Sequence, residues 1–471
     1  MRPPLFSPLS RRELLRQCGC GFGYLGLAGL LANLTGTAAD PIRRPLGLKT
    51  PPRPARAKRV IFLFMHGGPS QVDTFDYKPL LARDHGKALS RLPVGGMGAD
   101  SRLLASPFEF TQHGACGRHI SSLFPEVARH ADKLCVIRSL HTDGQAHGQA
   151  VLKLHTGHEA QVRPSMGSWV IYGLGTENQN LPGFVTISPS TLNGGPQNYG
   201  AAFLPAIYQG TPVGNENQPL SQAQIRHIRN TDRSAAQQRT QLDFVQEMNR
   251  EHLARDPQDA QLEGVIEAYE LAFRMQTEAP RLTDLSEESA ATRAMYGIDS
   301  PATDDFGRQC LLARRFAEQG VRFIQVNHAF KWDQHVNLRR DHERNAGEVD
   351  RPIAALLTDL HQRGLLEDTL VWWGGEFGRT PTAQGRLDGR DHNPHGFTMW
   401  LAGGGARPGI AYGATDDYGA RAVENPVHMH DLHATLLHLL GLNHTQLTFR
   451  SAGRDYRLTD IKGEVIPGLV A

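Results

Sequence analysis

Histidine and acidic side chains occur next to several short apolar runs of this 471-residue chain, a placement that suits metal binding. The candidate ligands are His66, His147, Asp333, His335, Glu376 and His392. Imidazole nitrogens together with carboxylate oxygens suit zinc, with manganese, iron or calcium as further possibilities. The sequence therefore predicts a divalent-metal site, and the lack of clustered thiolates argues against a structural zinc finger.

His147 opens the segment HGQAVLKLHTGH and has three possible roles. It can be a metal ligand, a covalent nucleophile or a structural residue at the start of a helix, and the ligand role is the preferred interpretation. Arg379 is a candidate for holding an anionic substrate through a bidentate pair, with a purely structural role as the alternative. We predict catalytic roles for His147 and Arg379.

The apolar runs beside these residues have the length of strands. They are VIFLFM before His66, CVIRSL before His147, VRFIQV before Asp333 and TLVWWGG before Glu376. Continuous apolar runs are typical of strands buried on both faces of a parallel sheet, and helical patterns alternate with them here. We expect an α/β sandwich with a mostly parallel central sheet flanked by helices. Because the carboxyl ends of parallel strands meet at one edge, the candidate ligands are expected to converge there.

The chain divides into three predicted segments. Residues 1–39 carry paired arginines before a Gly-rich apolar run, which is typical of a twin-arginine export signal. Residues 40–58 are rich in proline and arginine and predict a linker. Residues 59–471 predict the α/β domain, with a helical insertion at about 221–300. We expect the twin-arginine export machinery as a partner, a location in the periplasm or cell envelope, and no stable transmembrane span in the mature form.

Composition and missing motifs exclude several classes of function. The formal net charge is +2, so we expect no nucleic-acid partner. The Gly403–Gly405 run that follows a predicted strand lacks the dinucleotide-binding fingerprint and its acidic partner, and the sequence contains no Walker loop or G-x-S-x-G elbow. Cys116, Cys135 and Cys310 lie beyond the predicted signal, and at most one disulfide can form among them.

Five motifs together resemble a large bacterial family of exported proteins catalogued as a domain of unknown function. They are VIFLFMHGGPSQVDTFDYKP, KLHTGH, WDQH, GGEFGRTP and GRDHNPHGFTMWLAGGG, and the resemblance covers nearly the whole chain. That family is similar to the alkaline phosphatase and sulfatase superfamily, whose members hydrolyse phosphate or sulfate esters with bound metal. The resemblance implies an alkaline-phosphatase-like sandwich.

The resemblance to sulfatases also indicates which residues of this chain correspond to positions of the sulfatase active site. The Thr156-Gly157 pair matches the Thr-Gly end of the sulfatase nucleophile motif, which places His147 at the nucleophile. His66 and Glu376 fall where sulfatases carry metal-binding aspartates, while Asp333, His335 and His392 match a second metal position. Histidine cannot replace the Ser, Thr or Cys nucleophile of the superfamily, so the resemblance implies a metal-bound water as the nucleophile.

Two functions follow as hypotheses. The first is an exported metal-dependent hydrolase of phosphate or sulfate esters, acting on a small-molecule or glycan ester. The second is a catalytically inactive sulfatase-like envelope protein that binds a glycan or protein partner.

Overall fold

The apolar runs of the sequence form one central sheet in the computed structural model. The structure describes residues 45–88, 102–223, 225, 228, 232–256, 259–384 and 388–471. The predicted signal and residues 40–44 of the predicted linker lie outside these ranges. Residues Pro45–Ala471 form one compact unit.

Seventeen strands occur in the described residues. In chain order they are β1 (Arg59–Met65), β2 (Phe110–His113), β3 (Arg118–Ser121), β4 (Leu134–His141), β5 (Phe184–Ile187), β6 (Thr211–Val213), β7 (Phe323–His328), β8 (Thr369–Gly374), β9 (Gly378–Ala383), β10 (Arg390–Asn393), β11 (Phe397–Ala402), β12 (Ile410–Tyr412), β13 (Ala414–Thr415), β14 (Ala422–Glu424), β15 (Val427–His428), β16 (Phe449–Ser451) and β17 (Arg454–Tyr456). Nine of them form the central sheet in the order β12-β4-β11-β8-β1-β7-β5-β6, with β15 also beside β4. Only β11 runs antiparallel to its neighbours within this described sheet, so the predicted mostly parallel α/β architecture is confirmed.

Eleven α-helices accompany the sheet in the described ranges. They are α1 (Gln71–Thr74), α2 (Pro79–Arg83), α3 (Pro125–Ala128), α4 (His147–Thr156), α5 (Met166–Leu174), α6 (Ala235–Arg255), α7 (Ala260–Thr283), α8 (Ala290–Met295), α9 (Asp304–Glu318), α10 (Leu338–Gln362) and α11 (Met429–Leu439). Helices α6, α7 and α8 lie inside the range predicted as a helical insertion. The helical pattern at 123–134 predicts a longer helix than the structure contains, because α3 ends at Ala128 and a separate 3-10 turn follows at Ala131–Lys133.

Strand β1 lies near the middle of the sheet and every one of its residues is buried. It pairs in parallel with β7 on one side and with β8 on the other, with Met65 opposite His328 and Phe64 opposite Gly374. The carboxyl ends of the three strands therefore lie at one edge of the sheet. Parallel sheets place their ligand sites at this edge.

A two-stranded ribbon, β9 with β10, follows β8 and pairs His392 with Arg379. The ribbon is anchored by a buried ion pair, in which Arg390 Nε lies 2.7 Å from Asp73 Oδ2 and both side chains are inaccessible to solvent. The pairing of β9 with β10 brings Arg379 and His392 to the same edge as the strand ends.

Part of the predicted linker packs against the α/β domain. Within the predicted linker, Arg56 donates a backbone hydrogen bond to Leu439 of α11 at 2.8 Å, and Leu46 is buried. The three cysteines predicted to remain after the signal are all free. In the described part of the chain, no helix combines the length and the apolar character required to cross a bilayer.

Candidate metal centre

Four of the predicted ligands meet at the carboxyl edge of the sheet, and their ligand atoms all lie within 4.8 Å of one another. His147 is the first residue of α4, Asp333 and His335 lie between β7 and α10, and His392 lies on β10. We call this set, His147, Asp333, His335 and His392, the metal cluster. Their side chains are 11% to 33% exposed, so the cluster is reachable from solvent.

Asp333 Oδ1 is the centre of the cluster. The Nε2 atoms of His335, His147 and His392 lie 2.9, 3.0 and 3.3 Å from it. The Nε2 atoms of His335 and His392 are themselves 3.0 Å apart. A tetrahedral zinc site with Zn–N bonds of about 2.0–2.1 Å has ligand atoms about 3.3 Å apart, and these four distances are close to that value.

Each histidine of the cluster donates from its other ring nitrogen to a protein acceptor. His147 Nδ1 bonds to Glu376 Oε1 at 2.6 Å, and His392 Nδ1 bonds to the Gln145 carbonyl at 2.9 Å. His335 Nδ1 bonds to Gln384 Oε1. A proton on Nδ1 leaves the Nε2 lone pair free, which is the arrangement that metal-bound histidines adopt.

Two further observations support the binding of a cation by the metal cluster. His147 Nε2 is buried and makes no hydrogen bond, although it lies next to Asp333. Burial acts to raise the pKa of Asp333, but contacts with His147, His335, His392 and the Arg379 guanidinium hold that pKa well below its usual value. The Asp333 carboxylate is therefore ionised, and three imidazoles with one carboxylate form a suitable donor set for a divalent metal.

Glu376, which was predicted as a direct ligand, lies outside the metal cluster. Its carboxylate is fully buried and accepts the Gly67 N–H at 3.1 Å to each oxygen, in addition to His147 Nδ1. Burial acts to raise the pKa of Glu376, but the contact with His147 lowers it overall, so the carboxylate remains ionised. Glu376 therefore orients His147 toward the cluster.

Gly67 allows this arrangement through its backbone. It has a φ of +115°, and a Cβ at this position would lie 2.7 Å from the backbone nitrogens of Trp332 and Asp333. Only glycine tolerates both the conformation and the close approach of the 332–333 segment.

His66 is also outside the metal cluster, although it was predicted as a ligand. It is buried at the end of β1, where its Nε2 lies 3.0 Å from Asn193 Nδ2. The ring of Phe330 packs against both His66 and His147, with centroid distances of 4.7 and 4.9 Å. Burial lowers the pKa of His66, so this imidazole is neutral.

Arg379 was predicted to hold the substrate, and the structure places its side chain inside the protein. It is fully buried, and its donors bond to the carbonyls of Gly67, Gly68, Trp332 and Arg390. Its Nη2 also lies 2.8 Å from Asp333 Oδ1. The guanidinium has no bidentate face turned to solvent, so the structural alternative agrees better with this geometry.

Gln384 and Gln145 orient two of the histidines and were not among the predicted site residues. Gln384 follows β9, and Gln145 acts through its backbone carbonyl. Neither has a sequence signal, because their importance arises only from the spatial approach of distant segments.

The family model described as "Protein of unknown function (DUF1501)" matches residues 57–470. The chain belongs to this family. The match includes every residue of the metal cluster. Among curated proteins, none matches the chain.

Solved structures similar to this DUF1501 chain have low sequence identity. The lipoteichoic acid synthase LtaP from Listeria monocytogenes is 8% identical, with a TM-score of 0.36 over 85% of this chain and 76% of that chain. A protein in the alkaline phosphatase superfamily from Vibrio parahaemolyticus is 10% identical, with a TM-score of 0.35 over 88% and 74%. Alkaline phosphatase from the Antarctic bacterium TAB5 is 11% identical, with a TM-score of 0.31 over 77% and 95%. The chemistry of the site therefore rests on the residues of this chain.

Proposed function

We propose that this DUF1501 protein is a metal-dependent hydrolase of phosphate or sulfate esters. The observation that carries the proposal is the convergence of three histidine Nε2 atoms on Asp333 Oδ1 at the carboxyl edge of the sheet. A divalent cation bound there supplies a Lewis acid for an ester oxygen and lowers the pKa of a water molecule that it binds. Zinc is the preferred metal because the donor set is rich in nitrogen.

The residues of the chain have distinct roles in this proposal. His147, His335, His392 and Asp333 hold the cation, and their partial exposure admits an ester from solvent. Glu376 orients His147 from the buried side. Arg379 holds Asp333 rather than the substrate, since its donors are directed to backbone carbonyls and that carboxylate.

His147 is poorly placed to act as a covalent nucleophile. One of its nitrogens is bonded to Glu376, and the other faces Asp333 within the metal cluster. A phosphohistidine requires a nitrogen that is free to attack the ester. We therefore assign His147 the role of a metal ligand.

The test combines metal content with turnover. The purified protein is incubated with Zn²⁺, Mn²⁺, Fe²⁺ or Ca²⁺, its bound metal is measured by mass spectrometry, and hydrolysis of nitrophenyl phosphate and nitrophenyl sulfate is followed. We expect about one metal per chain and metal-dependent hydrolysis of one ester class. The double variant His335→Ala/His392→Ala should lose both, while His438→Ala on α11, outside the metal cluster, should keep both. Failure of the wild type to bind any of these metals would refute the proposal.

A second candidate, a non-catalytic binding protein, is favoured by the position of Arg379. Hydrolases of anionic esters commonly hold the anion with a guanidinium, and this one is already bonded within the protein. A metal-loaded protein that turns over no phosphate or sulfate ester but binds a glycan would support this candidate over the hydrolase.

We also propose that the protein is exported by the twin-arginine route to the periplasm or cell envelope. The support is the paired arginines of SRRELLRQ before the apolar Gly-rich run. Fractionation of cells that express the wild type or Arg11→Lys/Arg12→Lys tests it. Equal amounts of periplasmic protein from both would contradict this route.

A further inference from the structure

A cleft separate from the metal cluster opens at the carboxyl ends of β5 and β7. Its volume is about 520 Å³, within the range of small-molecule sites, about 300–1,000 Å³. Ser188, which follows β5, and His328, which ends β7, line it. Helices α9 and α10 also contribute to its lining, through Gln309 and Gly347. Open α/β folds bind ligands at such strand ends.

The segment after β7 contributes to both this cleft and the metal cluster. Ala329 and Lys331 line the cleft, whereas the intervening Phe330 packs its ring on His66 and His147. A ligand in the cleft therefore lies beside the segment that carries Asp333, but it needs no contact with the metal cluster to bind.

Two buried polar atoms in the cleft lining have no hydrogen-bond partner. They are Ser188 Oγ and Gln309 Oε1, on side chains that are each 3% exposed. Buried polar groups in proteins are nearly always hydrogen-bonded, and an unmade bond costs free energy. Ser188 also has a φ of +49°, a conformation that non-glycine residues rarely adopt and that clusters at ligand sites. These two atoms leave bonding capacity for a ligand that supplies hydrogen-bond donors, as hydroxyl groups do.

The charged groups that line the cleft have partners within the protein, including Glu216, Glu343 and Arg344. Glu348 Oε2 lies 2.6 Å from Lys331 Nζ and 2.9 Å from His328 Nε2. Asp305 accepts hydrogen bonds from the Leu220 backbone N–H at 2.6 Å and from Gln309 Nε2 at 2.9 Å. The unmet bonding capacity therefore belongs to neutral groups, which favours a neutral ligand over an ammonium or a carboxylate.

Gly347 provides space on the wall formed by α10. It lies in the interior of the helix, where glycine is a poor helix former. A Cβ at this position would meet no atom within 4 Å. The helix therefore leaves the cleft open where most other residues would place a side chain.

We propose that this cleft binds a neutral oligosaccharide through its hydroxyl groups. Ser188 Oγ both donates to and accepts from sugar hydroxyls, and Gln309 Oε1 accepts from them. Ligand pockets use a few convergent polar groups of this kind to fix the orientation of the ligand.

The experiment uses the full chain and three neutral probes: maltotriose, cellotriose and tri-N-acetylchitotriose. Binding is measured by saturation-transfer NMR and calorimetry at up to about 10 mM sugar, with spermidine and trigalacturonate as charged probes. We expect at least one neutral sugar to bind. Ser188→Ala/Gln309→Ala should weaken it about tenfold or more, since two hydrogen bonds are lost. Ser122→Ala/Gln446→Ala, at exposed positions outside the cleft, is the matched control.

A blocking variant separates loss of binding from loss of folding. Gly347→Trp fills the cleft and removes a helix-weakening glycine, so the protein should fold normally and lose sugar binding. Gly347→Ala should fold normally and keep it. His335→Ala/His392→Ala should also bind the sugar, which distinguishes this proposal from the metal-dependent hydrolase. Binding of no neutral sugar, binding that is insensitive to both cleft variants, or binding of the charged probes alone would overturn the proposal.

Discussion

Glu376 Oε1 lies 2.6 Å from His147 Nδ1, on the opposite side of the imidazole from Asp333. The same carboxylate is fixed by the Gly67 N–H, so His147 is held from the buried side of the sheet edge. A carboxylate bonded to the distal nitrogen makes a histidine a stronger metal ligand and selects its tautomer. Glu376, which follows β8, therefore contacts the metal cluster through His147 but is not a member of that cluster.

We predict that Glu376→Gln weakens metal binding by about 10- to 100-fold while the protein stays folded. The amide retains the size of the carboxylate but loses its negative charge, so His147 becomes a weaker ligand. Competition with a fluorescent zinc chelator measures the affinity. Glu348→Gln, which changes another glutamate bonded to a histidine but outside the metal cluster, is the control. Equal affinities for the two variants would mean that Glu376 does not act through His147.

Metal should stabilise the wild type, because a ligand that binds only the folded state shifts the unfolding equilibrium. At a free zinc concentration 100 times its dissociation constant, the expected gain is about 2.7 kcal/mol. We predict that the melting temperature rises when zinc is added to chelator-treated wild type and does not change for His335→Ala. His438→Ala should respond like the wild type. A zinc-dependent rise of the same size in His335→Ala would place the binding site elsewhere.

The central sheet was predictable because its signal is local. The buried runs that became β1 and β8 are apolar at nearly every position, a pattern that few other elements produce. The start of α3 depends on a distant contact, since Asp350 of helix α10 accepts its first backbone N–H groups. Sequence periodicity carries no information about such a tertiary contact.

The convergence of the site was predictable, but the role of each side chain was not. His147, Asp333 and His335 lie next to strand ends, so sheet topology alone predicts their approach. The same argument brings His66 and Glu376 to the edge, yet their side chains turn into the protein and bind Asn193 and Gly67 instead. The direction of a side chain within a tight turn depends on contacts from segments that are remote in sequence.

Arg379 should contribute more to the stability of the folded protein than to substrate binding. We predict that Arg379→Met lowers the free energy of unfolding by about 3–5 kcal/mol, because it removes the guanidinium from Asp333 and leaves several buried carbonyls without a donor. Urea denaturation measures the change, and Arg339→Met, at an exposed ion pair, should have almost no effect. A raised KM with an unchanged denaturation midpoint would instead support a direct role in holding the substrate.

Asp350 is buried and accepts the backbone N–H groups of Glu126 and Val127 at 2.9 and 2.8 Å. Burial raises the pKa of Asp350 to about 6, from an ordinary value of 3.8. Between these values the unfolded chain releases the proton while the folded protein retains it. The contribution of Asp350 to stability is therefore present below pH 3.8 and decreases as the pH rises to about 6, by up to about 3 kcal/mol.

Asp350→Asn removes this titration, since an amide does not ionise in this range. We predict that the stability of the wild type relative to Asp350→Asn falls as the pH rises from about 4 to 6 and is constant above that range. Urea denaturation at several pH values measures the difference, with the exposed Asp417→Asn as the control. A difference that stays constant or grows with pH would show that the folded protein does not retain the Asp350 proton, because a carboxylate stabilised in its ionised form gives the opposite slope.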